Sequence, residues 1–141
     1  MVDIVCKDLM SNKLVTLHPK DRIAAAKQVF ENNKIHHIPI CINHKIVGIL
    51  SLGDVLAAQD DYLCHQDKML KRANPNFDYV EGIMTPNPLT VAPETKLSVC
   101  VKLMKVKRIN CLPISEGDRI VGIITAFDLI GYIDEVLSLE S

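Results

Sequence analysis

Gly48-Ile49-Leu50-Ser51-Leu52-Gly53-Asp54 returns later in the chain as Gly122-Ile123-Ile124-Thr125-Ala126-Phe127-Asp128. Each phrase is a glycine, two branched apolar residues, a hydroxyl, two spacers and an aspartate. Sliding the chain by 74 residues, the distance from Gly48 to Gly122, extends the match upstream without a gap. Met10 falls on Met84, Thr16 on Thr90, Pro19 on Pro93, Ile35 on Ile109, and Pro39-Ile40 on Pro113-Ile114. Leu9 with Ile83, Ile23 with Leu97, Lys34 with Arg108 and Ile38 with Leu112 are conservative pairs. A fixed period of this kind means one supersecondary unit built twice.

The bulk properties narrow the classes open to such a duplication. The chain has 141 residues, 48% of them apolar, with no Trp and a formal net charge of −1. That is enough for a core of Ile, Val, Leu and Ala. The balanced, interspersed charge offers no electrostatic reason to expect a nucleic-acid or anionic-membrane partner. No apolar run approaches the ~20 residues of a membrane helix. Residues 1–8 lack the basic-then-apolar order of a secretory signal. Five cysteines without a Cys-x-x-Cys pair fit free thiols in a reducing cytosol, so a cytoplasmic location is expected.

Periodicity supplies the elements. In the first repeat a short strand is expected at 15–17. A helix follows over 22–33, N-capped by Asp21, with Ile23, Ala26, Val29 and Phe30 on its buried face. Residues 35–42 and 45–50 read as a hairpin turning at Asn43-His44, and Ser51 starts a second helix. The second repeat reads alike: a strand at 89–91, then a helix carrying Leu97, Val101, Leu103 and Met104. A hairpin over 109–115 and 120–124 turns at Glu116-Gly117-Asp118. A last helix from Thr125 bears an apolar stripe of Leu129, Ile130, Ile133, Val136 and Leu137. Each unit is thus β-α-β-β-α, an α/β (α+β) fold with its two repeats expected to pack by pseudo-twofold symmetry. Apolar pairs at Val55-Leu56, Tyr62-Leu63 and Met69-Leu70 are spaced by seven, which extends the Ser51 helix to about Ala73 before Asn74-Pro75-Asn76 stops it. The expected domains are a first repeat at 5–56, an inter-repeat helix and linker at 57–79, and a second repeat at 80–135.

The repeated phrase places a hydroxyl and a carboxylate at a helix start. Free N–H groups and the helix dipole favour phosphate there, Ser51 or Thr125 adds a donor, and Asp54 or Asp128 can accept both hydroxyls of a ribose diol. The same spacing is also a capping box, which explains hydroxyl and acid without any ligand.

The paired units resemble a tandem CBS domain pair, or Bateman module, over nearly all of residues 5–135. The carrying residues are Met10 and Met84, Thr16-Leu17 and Thr90-Val91, His37-Ile38-Pro39-Ile40 and Cys111-Leu112-Pro113-Ile114, and the two glycine-to-aspartate phrases. The resemblance implies a regulatory module that binds an adenosine-containing ligand (AMP, ADP, ATP or S-adenosylmethionine) in the cleft between the repeats. Asp54 and Asp128 then hold ribose, and Ser51 and Thr125 hold phosphate. Thr16, Thr90, His37, Ile38, Pro39, Arg108, Cys111 and Leu112 line the ligand. No cofactor is required beyond this regulatory ligand. The family's basic pair before the Leu-Pro strand reads His36-His37 in one repeat and Asn110-Cys111 in the other, so the two sites are expected to be unequal. The family also implies a homodimer. With no effector domain in these residues, the output is expected to act on a separate protein, whose identity is open.

Three other readings stand beside this one. A ligand-free oligomerisation module would use both hydroxyl–acid pairs only as caps. His36, His37, Cys41, His44 and Cys64-His65 match no standard zinc spacing, so no metal is expected; a thiol or metal sensor at Cys41, His44 and Cys64 is the weaker variant. No nucleophile lies beside a base, so no enzyme activity is expected.

Overall fold

The computed structural model describes residues 4–64, 74 and 78–140, and its chain divides into two compact units, Val15–Pro88 and Met1–Leu14 with Leu89–Ser141. Each unit takes its hairpin and two helices from one repeat and its opening segment from the other.

In the unit Val15–Pro88, helix α1 spans Ile23–Asn33 and buries Ile23, Ala26 and Phe30 along one face. Its N-cap is Arg22 rather than Asp21. The Asp21 carboxylate is engaged one step earlier, accepting the His18 N–H at 2.8 Å and closing the turn that delivers the chain to the helix. The expected strand at 15–17 is a single parallel bridge from Leu17 to Ile40. The Leu17 N–H donates to the Pro39 carbonyl at 3.1 Å and the Cys41 N–H to the Leu17 carbonyl at 2.8 Å. Pro19 turns the chain away directly afterwards, so pairing ends there.

Strands β1 (His37–Ile42) and β2 (Lys45–Ser51) form the expected antiparallel hairpin, pairing His37 with Ser51 and Ile42 with Lys45. Asn43 and His44 both have positive φ, 50° and 67°, the two-residue turn whose twist suits a hairpin. Helix α2 (Leu52–Cys64) follows β2 without a linker and buries Val55 while Leu56 and Leu63 face outward. Its expected continuation to Ala73, with Met69 and Leu70, lies outside the described residues. A 3-10 turn at Val80–Gly82 then leads into strand β3 (Thr85–Pro86), which pairs Thr85 with Ile49 and Pro86 with Gly48. The core joins Ile23, Ala26 and Phe30 to Ile38, Ile40, Leu50, Val55 and Val80.

The other unit repeats this plan with every residue shifted by one period. Helix α3 (Leu97–Lys107) buries Leu97, Cys100 and Met104, an i, i+3, i+7 face. Val101, expected inside, flanks that face and is exposed. Strands β4 (Cys111–Glu116) and β5 (Arg119–Thr125) pair Cys111 with Thr125 and Glu116 with Arg119, and Gly117 supplies the positive φ of 62° in the turn. As in the first repeat, the expected strand at 89–91 is one parallel bridge, Val91 to Ile114. The opening segment docks here as its counterpart does in the other unit: Cys6 N–H to the Thr95 carbonyl at 2.8 Å, Leu97 N–H to the Ile4 carbonyl at 2.8 Å, and Ser11 bridged to Ile123.

Helix α4 (Ala126–Leu139) is the expected last helix, capped by Thr125. Ala126, Leu129 and Tyr132 rest on the core cluster, but no residue of the helix is fully buried. Ile130, Ile133 and Leu137, members of the expected apolar stripe, are 59%, 53% and 59% exposed. Among the described residues, no helix is long and apolar enough to cross a membrane.

Candidate functional site

Each candidate site begins where a strand becomes a helix with no residue between. Ser51 closes β2 and Leu52 opens α2; Thr125 closes β5 and Ala126 opens α4. A backbone bond ties each junction to the start of the neighbouring strand. The Leu52 N–H donates to the His36 carbonyl at 2.9 Å and the Ala126 N–H to the Asn110 carbonyl at 2.8 Å. Main-chain bonds leave no side-chain pattern, so sequence reasoning missed His36 and Asn110 in this role.

The hydroxyl and the acid make reciprocal capping bonds at both junctions. The Ser51 N–H donates to Asp54 Oδ2 at 2.9 Å, and the Asp54 N–H donates to Ser51 Oγ at 3.0 Å. The Thr125 N–H donates to Asp128 Oδ2 at 2.8 Å, and the Asp128 N–H to Thr125 Oγ1 at 3.3 Å. These bonds satisfy donors a helix start otherwise leaves open. They use one carboxylate oxygen only. Among the described residues, Oδ1 of Asp54 and Oδ1 of Asp128 accept no hydrogen bond, and an ionised carboxylate has room for about four. Both aspartates are half-buried.

The two junctions differ in detail. Thr125 Oγ1 also donates to Asp128 Oδ2 at 3.1 Å, which commits its hydroxyl proton within the cap. Among the described residues Ser51 makes no such bond, which leaves its O–H as a donor. Across the hairpin, His37 stands opposite Ser51, half-buried, while Cys111 stands opposite Thr125 and is buried. Burial first, and the nearby Asp128 carboxylate second, push the Cys111 thiol up to about 12, so it is neutral at physiological pH. One junction therefore faces a titratable imidazole and the other a neutral thiol.

The remaining candidate residues spread around these centres. Ile38 and Leu112 are fully buried core residues, and Pro39 is buried with its carbonyl taken by Leu17, so the side chains of Ile38 and Leu112 face the core. Thr16 is exposed and Thr90 half-buried, each preceding the residue that bridges to the hairpin. Arg108 closes α3 in the left-handed conformation, φ 54°, as Lys34 closes α1 at φ 51°. Both are exposed, and among the described residues neither forms an ion pair. Ser51, Asp54 and His37 are thus brought together in one unit, and Thr125, Asp128 and Cys111 in the other; Thr16 and Arg108 make no bond to either set.

A shallow depression on α2, lined by Leu56, Ala57, Gln59, Asp60 and Leu63, lies beyond Asp54 along the helix and contains no hydroxyl–acid pair. Among the described residues no three His, Cys, Asp or Glu side chains are grouped as a metal would need. His65 and the Cys64 side chain lie outside the description.

Comparison with known proteins agrees with the duplication. The family model described as "CBS domain" matches residues 6–61 and again 80–135. Over 117 residues the chain is 29% identical to an inosine-5′-monophosphate dehydrogenase of Korarchaeum cryptofilum, covering 82% of this chain but only 21% of that enzyme's length. Among solved structures, an acetoin utilization protein (AcuB) from Vibrio cholerae superposes with a TM-score of 0.79 at 29% identity, covering 99% of this chain and 96% of that one. The CBS domain pair of protein MJ0100, solved in complex with 5′-methylthioadenosine and S-adenosyl-L-methionine, superposes with a TM-score of 0.76 at 26% identity, covering 92% and 99%.

Proposed function

Because the chain belongs to the CBS domain family, matched in both repeats, we propose that it is a cytoplasmic regulatory module that senses an adenosine-containing ligand. The candidates are AMP, ADP, ATP and S-adenosylmethionine. One observation carries the reading: in both units the capping aspartate is fixed through Oδ2 and keeps Oδ1 as an acceptor beside a helix start. A ribose diol presents two donors, which a single carboxylate can take, and the 5′ substituent then meets the helix N-terminus and its hydroxyl. The adenosine class draws support from the MJ0100 domain pair, which holds two adenosine-based ligands.

Signalling follows from differential binding. A ligand that binds one arrangement of the module better than another shifts the population, and a separate effector protein reads the shift. The exposed apolar residues of α4 make a second copy of the chain the proposed structural partner, giving a homodimer.

The decisive experiment is calorimetric titration of the full chain with AMP, ADP, ATP and S-adenosylmethionine, using Asp54→Asn and Asp128→Asn beside the wild type. Asparagine keeps a carbonyl oxygen for the cap but replaces the second acceptor by an NH2 donor, which faces the ribose hydroxyls badly. Binding in the wild type, lost in one Asn variant that melts normally, supports the reading. Absence of binding by all four ligands would instead favour the second reading, a ligand-free oligomerisation module. The complete capping boxes at Ser51 and Thr125 are the observation behind that alternative.

A further inference from the structure

We propose that Cys6 and Cys100 form a redox-closable pair that locks the opening segment of the chain onto helix α3. Both residues are fully buried (0% exposed) in the core cluster of the unit that contains Leu97, Met104 and Leu112. Backbone bonds hold Cys6 against the start of the helix that carries Cys100. The Cys6 N–H donates to the Thr95 carbonyl at 2.8 Å, Val5 bridges to Lys96, and Cys100 lies one turn along the helix that Lys96 caps. The Cys6 thiol donates to the Ala92 and Pro93 carbonyls at 3.1 and 3.3 Å, and Cys100 is buried in the same core cluster.

The other unit gives the comparison. One period away, Val80 takes the place of Cys6 and Ala26 the place of Cys100, and both are again fully buried in the matching core. The position therefore requires only small apolar packing, which Val and Ala supply. The unit that contains α3 fills it with two thiols instead. Cys6, moreover, sits on the segment whose later residues, Met10 and Ser11, contact Gly122 and Ile123 of β5. A covalent bond at Cys6 holds that whole segment against the strand that ends at Thr125.

The chemistry balances with a low-molecular-weight disulfide as oxidant. One cysteine, as thiolate, attacks a sulfur of the oxidant, displacing one thiol and forming a mixed disulfide. The second cysteine, as thiolate, attacks the protein sulfur of that bond, forming Cys6–Cys100 and displacing the second thiol. Two electrons pass to the oxidant, and the two thiol protons end on the released thiols. Burial raises both thiols, Cys100 to about 11, so neither reacts while enclosed. Reaction proceeds through local opening of the N-terminal segment, so the pair closes slowly and, once closed, prevents that opening.

The test treats the full chain with oxidised glutathione and maps cysteines by digestion without reductant. The expected product is a crosslinked peptide joining Cys6 to Cys100, with loss of two hydrogens and a higher melting temperature that dithiothreitol reverses. Cys6→Val with Cys100→Ala, the pair already packed in the other unit, is expected to fold and to give no crosslink and no shift. Cys100→Ala alone is expected to stop at a glutathione adduct on Cys6. Adducts on single cysteines in the wild type without a 6–100 crosslink, a crosslink to another cysteine, or no modification at all would overturn the proposal.

Discussion

Met84 stands on Gly48 where a side chain would otherwise be: a Cβ built on that glycine would overlap the Met84 Sδ. Met10 stands on Gly122 in the same way, and a Cβ there would also come within 3.2 Å of the Ser11 carbonyl oxygen. The glycine that begins each repeated phrase is thus explained by the methionine that opens a repeat, one residue before the strand pairing of Thr85 on Ile49 or Ser11 on Ile123. Gly48→Ala and Gly122→Ala are expected to destabilise by about 1–3 kcal/mol through overpacking, with Gly122→Ala the worse because backbone also stands in the way. Urea unfolding measures both. Pairing Gly48→Ala with Met84→Ala should recover part of the loss, a coupling that independent sites would lack.

The caps at Ser51 and Thr125 predict a separation of stability from binding. Asp54→Ala removes a cap acceptor and should cost about 0.5–2 kcal/mol, whereas Asp54→Asn keeps most of that stability. Under the proposed function both variants lose ligand affinity. Thermal melts with and without ligand resolve the four cases. An Asp54→Asn variant that binds as tightly as wild type would remove Asp54 from the site.

Much of this architecture was legible because the sequence states it twice. The hairpins and all four helices follow from period and turn residues, Asn43-His44 and Gly117 above all. What stayed hidden lies in main-chain geometry. Pairing at Leu17 and Val91 stops at one residue because Pro19 and, in the second repeat, Pro93 turn the chain next, which apolar runs at 15–17 and 89–91 do not reveal. The α4 stripe is legible as a stripe but its outward direction is not, because amphipathicity marks a face and not what covers it. In the site, residue types and spacing gave the hydroxyl–acid pairs, but only coordinates separate Asp Oδ2, spent on the cap, from Oδ1. The commitment of the Thr125 hydroxyl to Asp128 is invisible in a chain where Ser and Thr look interchangeable.

Ser115 carries a buried Oγ with no hydrogen-bond partner among the described residues, at the bulge that follows Ile114. Its counterpart in the other unit is Cys41, a buried thiol with a weaker need for partners. Because an unsatisfied buried hydroxyl is costly, Ser115→Ala is expected to raise stability by about 1 kcal/mol. A drop instead, in the same denaturant assay, would show that the hydroxyl is satisfied in solution.

The buried thiols set the alkaline limit of stability. Cys41 is raised from 9.0 to about 11 and Cys111 to about 12, in both cases chiefly by burial. Above pH 9 the unfolded chain releases these protons while the folded chain keeps them, so the unfolded state binds fewer and stability falls as pH rises. Stability is complete below pH 9 and declines toward pH 11–12, by up to about 1.4 kcal/mol per pH unit for each thiol. Denaturant midpoints from pH 7 to 10.5 measure the slope, and Cys111→Ala is expected to reduce it. An unchanged slope in that variant would mean that the Cys111 thiol ionises in the folded chain as it does in the unfolded one.

Helix α4 makes the last prediction, since its outward residues Phe127, Ile130, Ile133 and Leu137 are all more than half exposed and fall at helical spacing along one helix. Leaving such a stripe in water forgoes burial worth about 25 cal/mol per Å², and a second copy of the same stripe is the simplest cover under the proposed homodimer. Ile133→Glu with Leu137→Glu puts charges on that stripe without touching the core cluster of Ala126, Leu129 and Tyr132. Light scattering is expected to read a dimer for the wild type and a monomer for the variant, and the variant's far-UV spectrum is expected to be unchanged. A wild type that is monomeric at tens of micromolar would place the stripe against some other partner. A variant that remains dimeric would move the interface off α4 altogether.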